Sequence, residues 1–187
     1  MQCRLLLIRH GESVLGSQGR YAGHFDTPLT PKGRRQIARL RTRLDRHQVH
    51  HFYSSDLGRC SDSARILAAG RSVTLSKRLR EIDFGAWEGR THDELLRLAP
   101  LRYKKWLDDP KSVAPPRGES LHHLKRRIRS FIIEIADRHL GKTVALITHG
   151  GPIRILAAST LDDFRSIDVR PASLNILNWP SLEGVAS

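Results

Sequence analysis

The chain predicts an α/β domain built on a largely parallel sheet, and three observations carry that expectation. Short apolar runs alternate with amphipathic helical stretches along its length. No internal repeat, low-complexity linker or abrupt change of composition divides the 187 residues, a length that fits one domain at roughly 150 residues apiece. Two of the apolar runs end alike, Ile8 leading into Arg9-His10-Gly11 and Thr148 into His149-Gly150-Gly151.

Cys3–Ile8 reads as a buried strand that stops at Arg9-His10-Gly11-Glu12, and a polar, glycine-containing loop runs on to Thr30. Thr30 and Pro31 supply an N-cap and a first helical residue. Ile37, Leu40 and Leu44, spaced three and four apart, give that helix one core face, while Arg34, Arg35, Arg39, Arg41, Arg43 and Arg46 crowd its others. His51–Ser54 is a short strand, Leu57–Ala69 a helix and Val73–Leu75 a weaker strand. Leu79–Gly89 is irregular, and a helix starts near Thr91. Three of the nine prolines fall in Asp108–Gly118, which marks a surface excursion. Leu121, Leu124, Ile128, Phe131, Ile132 and Ile135 form a helical stripe that Gly141 ends. Thr143–Thr148 is a second buried strand, Pro152–Thr160 a helix and Ser173–Trp179 a final strand.

Composition narrows the function classes. Hydrophobic residues at 39% and charged ones at 27% exclude a disordered chain. The longest apolar runs, Leu5–Ile8 and Val144–Ile147, fall far short of the ~20 residues that span a bilayer. Arg9 and His10 interrupt the N-terminal run too soon for a signal peptide. With only two cysteines, a reduced, cytoplasmic setting is expected, with room for a single bridge. The formal charge of +13 points to an anionic partner, nucleic acid among the candidates.

In parallel α/β sheets, ligands sit beyond the carboxyl ends of the strands. Two histidines launched from two such ends can meet over one crevice, each followed by a glycine that lets backbone amides approach a ligand. Arg9 lies beside the first, and Arg59 opens the helix after Tyr53-Ser54-Ser55. Arginine forks suit bidentate phosphate recognition, and neutral imidazole is a competent nucleophile. Together these residues suit a dianionic phosphoryl group.

The same residues carry a family resemblance. Leu7-Ile8-Arg9-His10-Gly11-Glu12 resembles the signature of the histidine phosphatase superfamily, the phosphoglycerate mutase-like proteins. Pro28-Leu29-Thr30 with Gly33, Ser54-Ser55-Asp56-Leu57-Gly58-Arg59-Cys60, Arg80 through Gly89, and Thr148-His149-Gly150-Gly151 resemble its later blocks, in order. Arg117-Gly118-Glu119-Ser120 and Ala172-Ser173-Leu174-Asn175 resemble lesser ones, so the likeness covers nearly the whole chain.

That resemblance implies one phosphoglycerate mutase-like domain over residues 1–187, three-layer α/β/α, with no cofactor and no metal. His10 would be the nucleophile that takes the phosphoryl group. Arg9, Arg59 and His149 would surround its oxygens with the Gly150 N–H, and Glu81 would protonate the leaving oxygen and later activate water. Gly16 stands where many relatives carry an asparagine that touches the phosphoryl group, leaving Ser17 or Gln18 as compensating donors. Mutases of the superfamily carry an insertion between the Arg59 and Glu81 blocks; with 22 positions from one residue to the other, the chain is expected to be a phosphatase. The Gly19–His24 and Arg80–Gly89 blocks look most like α-ribazole phosphatases, with a small anionic phosphate ester as partner and Arg20, Tyr21 and Trp87 as candidate pocket residues. Phosphatases of sugar phosphates and nucleotides share those blocks, and Trp87 reads equally as a core anchor, Arg20 as a solvated charge. Monomer and dimer are not distinguished.

Other motifs compete. Cys3 and Arg9 have Cys-x5-Arg spacing, but a strand separates them where a phosphate cradle needs small residues and free amides. Gly141-Lys142-Thr143 precedes its strand, unlike a P-loop. His47, His50 and His51 have metal-ligand spacing without a nearby carboxylate or thiolate, so a solvated cluster is expected. Lys125, Arg126, Arg127 and Arg129, with the arginines after Pro31, offer a patch for nucleic acid, but 6% aromatics and no recognition signature weigh against that role.

Overall fold

The computed structural model describes residues 1–158, 160–161, 164, 167 and 169–179. Its strands are β1 (Cys3–Arg9), β2 (His51–Ser54), β3 (Thr74–Leu75), β4 (Thr143–Thr148) and β5 (Leu174–Trp179). Its helices are α1 (Val14–Ser17), α2 (Pro31–Leu44), α3 (Gly58–Ala68), α4 (His92–Leu98), α5 (Pro100–Asp108), α6 (Leu121–Arg138) and α7 (Gly150–Ala157). The strands form one sheet in the order β3-β2-β4-β1-β5, parallel throughout except for β5.

Side chains alternate across a strand, and here both faces are apolar. Leu5 and Leu7 of β1, with Val144 and Leu146 of β4, pack against Leu124, Ile128 and Ile132 of α6 and Ile153 of α7. Leu6 and Ile8, with Ala145 and Ile147, face Ile37, Leu40 and Leu44 of α2 and Cys60, Ala64 and Leu67 of α3. Helices therefore cover the sheet on both sides, which is the three-layer α/β/α arrangement.

β1 and β4 lie at the centre in parallel register, Arg9 opposite Thr148. Their ends are consequently level, and the His10 N–H donates to the Thr148 carbonyl at 3.0 Å. The loop after β1 lies against the first turn of α2. Thr30 caps that helix by accepting the Gly33 N–H at 3.0 Å. Neither Gly11 nor Gly33 can carry a Cβ, because each would collide with the other loop's backbone.

Several boundaries differ from the sequence expectation. α1 was not signalled, since four residues with a glycine give no period. The helix near Thr91 is two helices: a Thr91–Glu94 capping box starts α4, and Pro100 forces Ala99 out of helical geometry before α5. α7 begins at Gly150 rather than Pro152; Ser159, within its expected end, lies outside the described residues, as do residues 180–187 of the expected domain. Cys3 and Cys60 are buried free thiols and make no bridge. Among the described residues, no helix is long and apolar enough to cross a membrane.

Candidate active site

His10 follows β1 and is 6% exposed. Its Nδ1 lies 2.6 Å from the Gly11 carbonyl, an acceptor only, so Nδ1 carries the proton and Nε2 a free lone pair. Burial, then the cations Arg59 and Arg9, hold the imidazole well below its ordinary pKa of 6.5. His149 ends β4 and is fully buried, its ring centroid 5.1 Å from that of His10 at 68° between planes. Burial, Arg59, His10 and Arg9 keep it neutral in the same way. Its Nε2 lies 3.0 Å from the Ser55 hydroxyl and 3.3 Å from the Cys60 sulfur.

Two arginines supply the positive field. Arg9 anchors Nη1 on the Val169 carbonyl, and its Nε is buried with no partner among the described residues. Burial lowers its pKa against the attraction of Glu81. A buried, unpaired guanidinium donor is a place for an anion. Arg59, 1% exposed, donates Nη1 to the Phe25 carbonyl at 3.1 Å and Nη2 to those of Ala22 and Gly23 at 3.0 and 2.6 Å. It clamps the loop after α1 and gives the crevice mainly its charge.

Glu81 closes the site. Both carboxylate oxygens accept the Gly151 N–H, at 3.0 and 3.1 Å, and Oε1 accepts the Ile82 N–H at 2.9 Å. A Cβ on Gly151 would strike that carboxylate, which explains the second glycine after His149. Gly150 opens α7, so its N–H is one of the helix's unpaired donors. Glu81 lies in an irregular segment, and Arg127 of α6 fastens that segment with its full guanidinium. Its Nη1 donates to the carbonyls of Arg78 and Arg80, its Nη2 to that of Glu81, and Nε and Nη2 grip the Glu119 carboxylate at 3.0 and 2.7 Å. Arg127 therefore serves this site rather than an external polyanion.

A cavity of about 250 Å³ opens beside Glu81 and Gly151. Tyr21, Phe84, Trp106 and Phe164 wall it, and Arg154 gives it a cation.

The structure thus brings together His10, His149, Arg9, Arg59, Glu81 and Gly150, with Tyr21 at the neighbouring cavity. It decides against the pocket readings of Trp87 and Arg20 and against Ser17 as a compensating donor. Trp87 is 3% exposed and packs on Tyr103 and Trp106 as a core anchor, so Trp106 takes the wall position assigned to it. Arg20 is tied to the Glu94 carboxylate and the Gly89 carbonyl instead of lining the cavity. Ser17 spends its hydroxyl on the Val14 carbonyl at 2.8 Å, and Gly16, in the same short helix, has no side chain to offer a ligand. The sequence does not assign Ser55, Phe84 or Trp106 to the site: Ser55 and Phe84 lie inside the family blocks without a role, nothing marks Trp106, and Arg127 stands there only as one of the basic residues of α6.

A family profile described as the histidine phosphatase superfamily (branch 1) matches residues 5–185. The chain belongs to that superfamily. It is 32% identical over 160 residues to phosphoserine phosphatase 1 of Hydrogenobacter thermophilus, covering 84% of this chain and 76% of the relative. It is also 32% identical over 157 residues to the adenosylcobalamin/alpha-ribazole phosphatase of Escherichia coli, 83% and 77% of the two chains. The solved structure of Bacillus stearothermophilus YhfR superposes with a TM-score of 0.86 at 36% identity, over 93% of this chain and 90% of that one. As a histidine phosphatase, the protein is a phosphoric monoester hydrolase of the phosphoglycerate mutase-like fold.

Proposed function

We propose that the protein hydrolyses a small phosphate monoester whose leaving alcohol carries a planar aromatic ring, α-ribazole 5′-phosphate being the best fit, through a phosphohistidine on His10. One catalytic domain over residues 1–187, acting in the cytoplasm without a metal, completes the reading. The observation that carries the substrate class is the aromatic wall of Tyr21, Phe84, Trp106 and Phe164 beside Glu81.

In the first step the Nε2 lone pair of His10 attacks phosphorus in line, forming the N–P bond as the ester P–O bond breaks. Glu81 gives the leaving oxygen its proton. Arg9, Arg59, His149 and the Gly150 N–H hold the charge on the equatorial oxygens, the positioning and field that phosphoryl transfer mainly requires. In the second step a water loses its proton to Glu81 and attacks phosphorus, the N–P bond breaks, and phosphate leaves with His10 restored.

Phosphate release is the test, measured with chelator present on α-ribazole 5′-phosphate, p-nitrophenyl phosphate, phosphoserine and 3-phosphoglycerate. His10→Ala abolishes release on every ester, and Glu81→Gln slows it by about 10² to 10⁴. An active His10→Ala protein overturns the mechanism. Arg154 on the cavity wall favours a second reading, an ester whose leaving group bears a carboxylate. Preference for phosphoserine over the aromatic esters selects that reading.

A further inference from the structure

Ser55 sits at the end of β2, fully buried, its N–H bonded to the Ile147 carbonyl at 2.9 Å and so fixed against β4. Its hydroxyl accepts the Leu57 N–H at 3.4 Å and lies 3.0 Å from Nε2 of His149. A hydroxyl has one proton to place. The neighbouring Cys60 thiol places its own on the Thr148 carbonyl at 3.4 Å, and sulfur is a weak acceptor. Nε2 of His149 is therefore the good acceptor for the Ser55 proton among the described residues. A neutral imidazole that accepts at Nε2 carries its hydrogen on Nδ1.

We propose that Ser55 is a positioning residue that locks His149 in the Nδ1–H tautomer, so that His149 meets the phosphoryl group as a hydrogen-bond donor. The proposal rests on the reading of the crevice as a phosphoryl site. Burial and the surrounding cations keep His149 neutral, which makes its tautomer decisive. His10 carries its proton on the same nitrogen, held by the Gly11 carbonyl. One tautomer thus serves two ends: His10 turns its bare Nε2 outward as a nucleophile, and His149 keeps its Nε2 on Ser55 and its Nδ1 proton, 3.8 Å from only the weakly accepting Cys60 sulfur among the described residues, for a phosphoryl oxygen. The opposite tautomer of His149 would strand the Ser55 proton and set a lone pair against an anion.

Histidine-selective ¹⁵N labelling and long-range proton–nitrogen correlation near pH 8 read the tautomer directly, with the His149 signals identified by their loss in His149→Asn. The wild-type protein shows a protonated Nδ1 and a bare Nε2. In Ser55→Ala the proton redistributes toward Nε2, and kcat falls about tenfold while KM changes little, the worth of one well-placed hydrogen bond. Ser55→Thr keeps the hydroxyl and restores both. A protonated Nε2 in the wild-type protein overturns the proposal, even if no Ser55 variant folds. So does a Ser55→Ala protein with unchanged tautomer and unchanged kcat. The spectrum does not depend on turnover, so an active His10→Ala enzyme would refute the phosphohistidine reading and leave the tautomer result standing.

Discussion

His10 and His149 meet edge to face over the ends of two adjacent parallel strands, and both are held neutral by burial and the same two arginines. A nucleophilic imidazole is useful only while unprotonated. Because His10 titrates well below 6.5, kcat/KM corrected for the second ionisation of the free ester, itself at about 6, is expected to stay level as pH falls through 6.5, with its acid limb displaced to lower pH. An acid limb centred at 6.5 or above would contradict the burial and charge ascribed to this residue.

Stability should move with pH through a third histidine. His139 is buried, its Nε2 2.9 Å from the Tyr53 hydroxyl and its Nδ1 without a partner among the described residues, and burial first and His51 second depress its pKa. The unfolded chain takes up that proton near 6.5, whereas the native state resists until a lower pH. The contribution is therefore complete above 6.5 and is lost as pH falls from there toward the depressed native value. His10 and His149 act with the same sign. Tm is expected to fall between about pH 7 and 5, and less steeply in His139→Gln; equal slopes would remove His139 from the account.

Arg127 makes its bonds to three successive parts of the Glu81 segment and to Glu119 with a planar fork that lysine lacks. Arg127→Lys keeps the charge, yet is expected to lower kcat about tenfold with little change in KM and to cost on the order of 2 kcal/mol in stability. Unaltered kcat, measured alongside a denaturation curve, would show that Glu81 needs no such splint.

The two tryptophans should separate cleanly. Trp87→Ala empties a core position at a cost of about 3–5 kcal/mol, leaving KM of the folded enzyme unchanged. Trp106→Ala is expected to raise KM for aromatic esters about tenfold and to affect phosphoserine less. A Trp106→Ala enzyme with equal KM shifts for both ester classes would dismiss the aromatic wall as a specificity element.

The family resemblance puts a phosphoryl-touching asparagine where Gly16 stands, in α1. A Cβ there meets only the Ser13 hydroxyl, at 3.0 Å, which can rotate aside. Gly16→Asn is expected to raise kcat by about threefold to tenfold, read in steady-state turnover. No gain would mean that the backbone of α1 does not aim this position at the phosphoryl group.

What could be read from the sequence follows from where the physics is local. The runs Cys3–Ile8 and Thr143–Thr148 announced buried strands because both faces are covered, and Ile37, Leu40 and Leu44 announced a helix by their period. His10, Arg9, Arg59, Glu81 and His149 stood in recognisable blocks. Trp106 did not, because its place beside Glu81 depends on α5 being folded back after Pro100 against Trp87, Phe84 and Tyr21, contacts remote from it in sequence. Arg127 misled for a related reason: on a helix dense in basic residues it read as part of a patch for nucleic acid, and only the irregular segment beneath it reveals carbonyls to bind. Arg20 and Trp87 carry the chemistry of pocket residues, but Glu94 and the aromatic core claim them first.

The level ends of β1 and β4 also govern when the enzyme comes into being. His10 is made early and His149 late, and they become neighbours only once the central ladder has zipped across most of the chain. Such long-range parallel pairing bears a large loop-closure cost and is intrinsically slow. A partly synthesised chain that lacks β4 carries Arg9, His10, Arg59 and Glu81 but not His149, nor the Gly151 N–H on which the Glu81 carboxylate rests. Phosphatase turnover during refolding is therefore a clock for the last topological step, and it should lag behind the appearance of helical signal from α2 and α6.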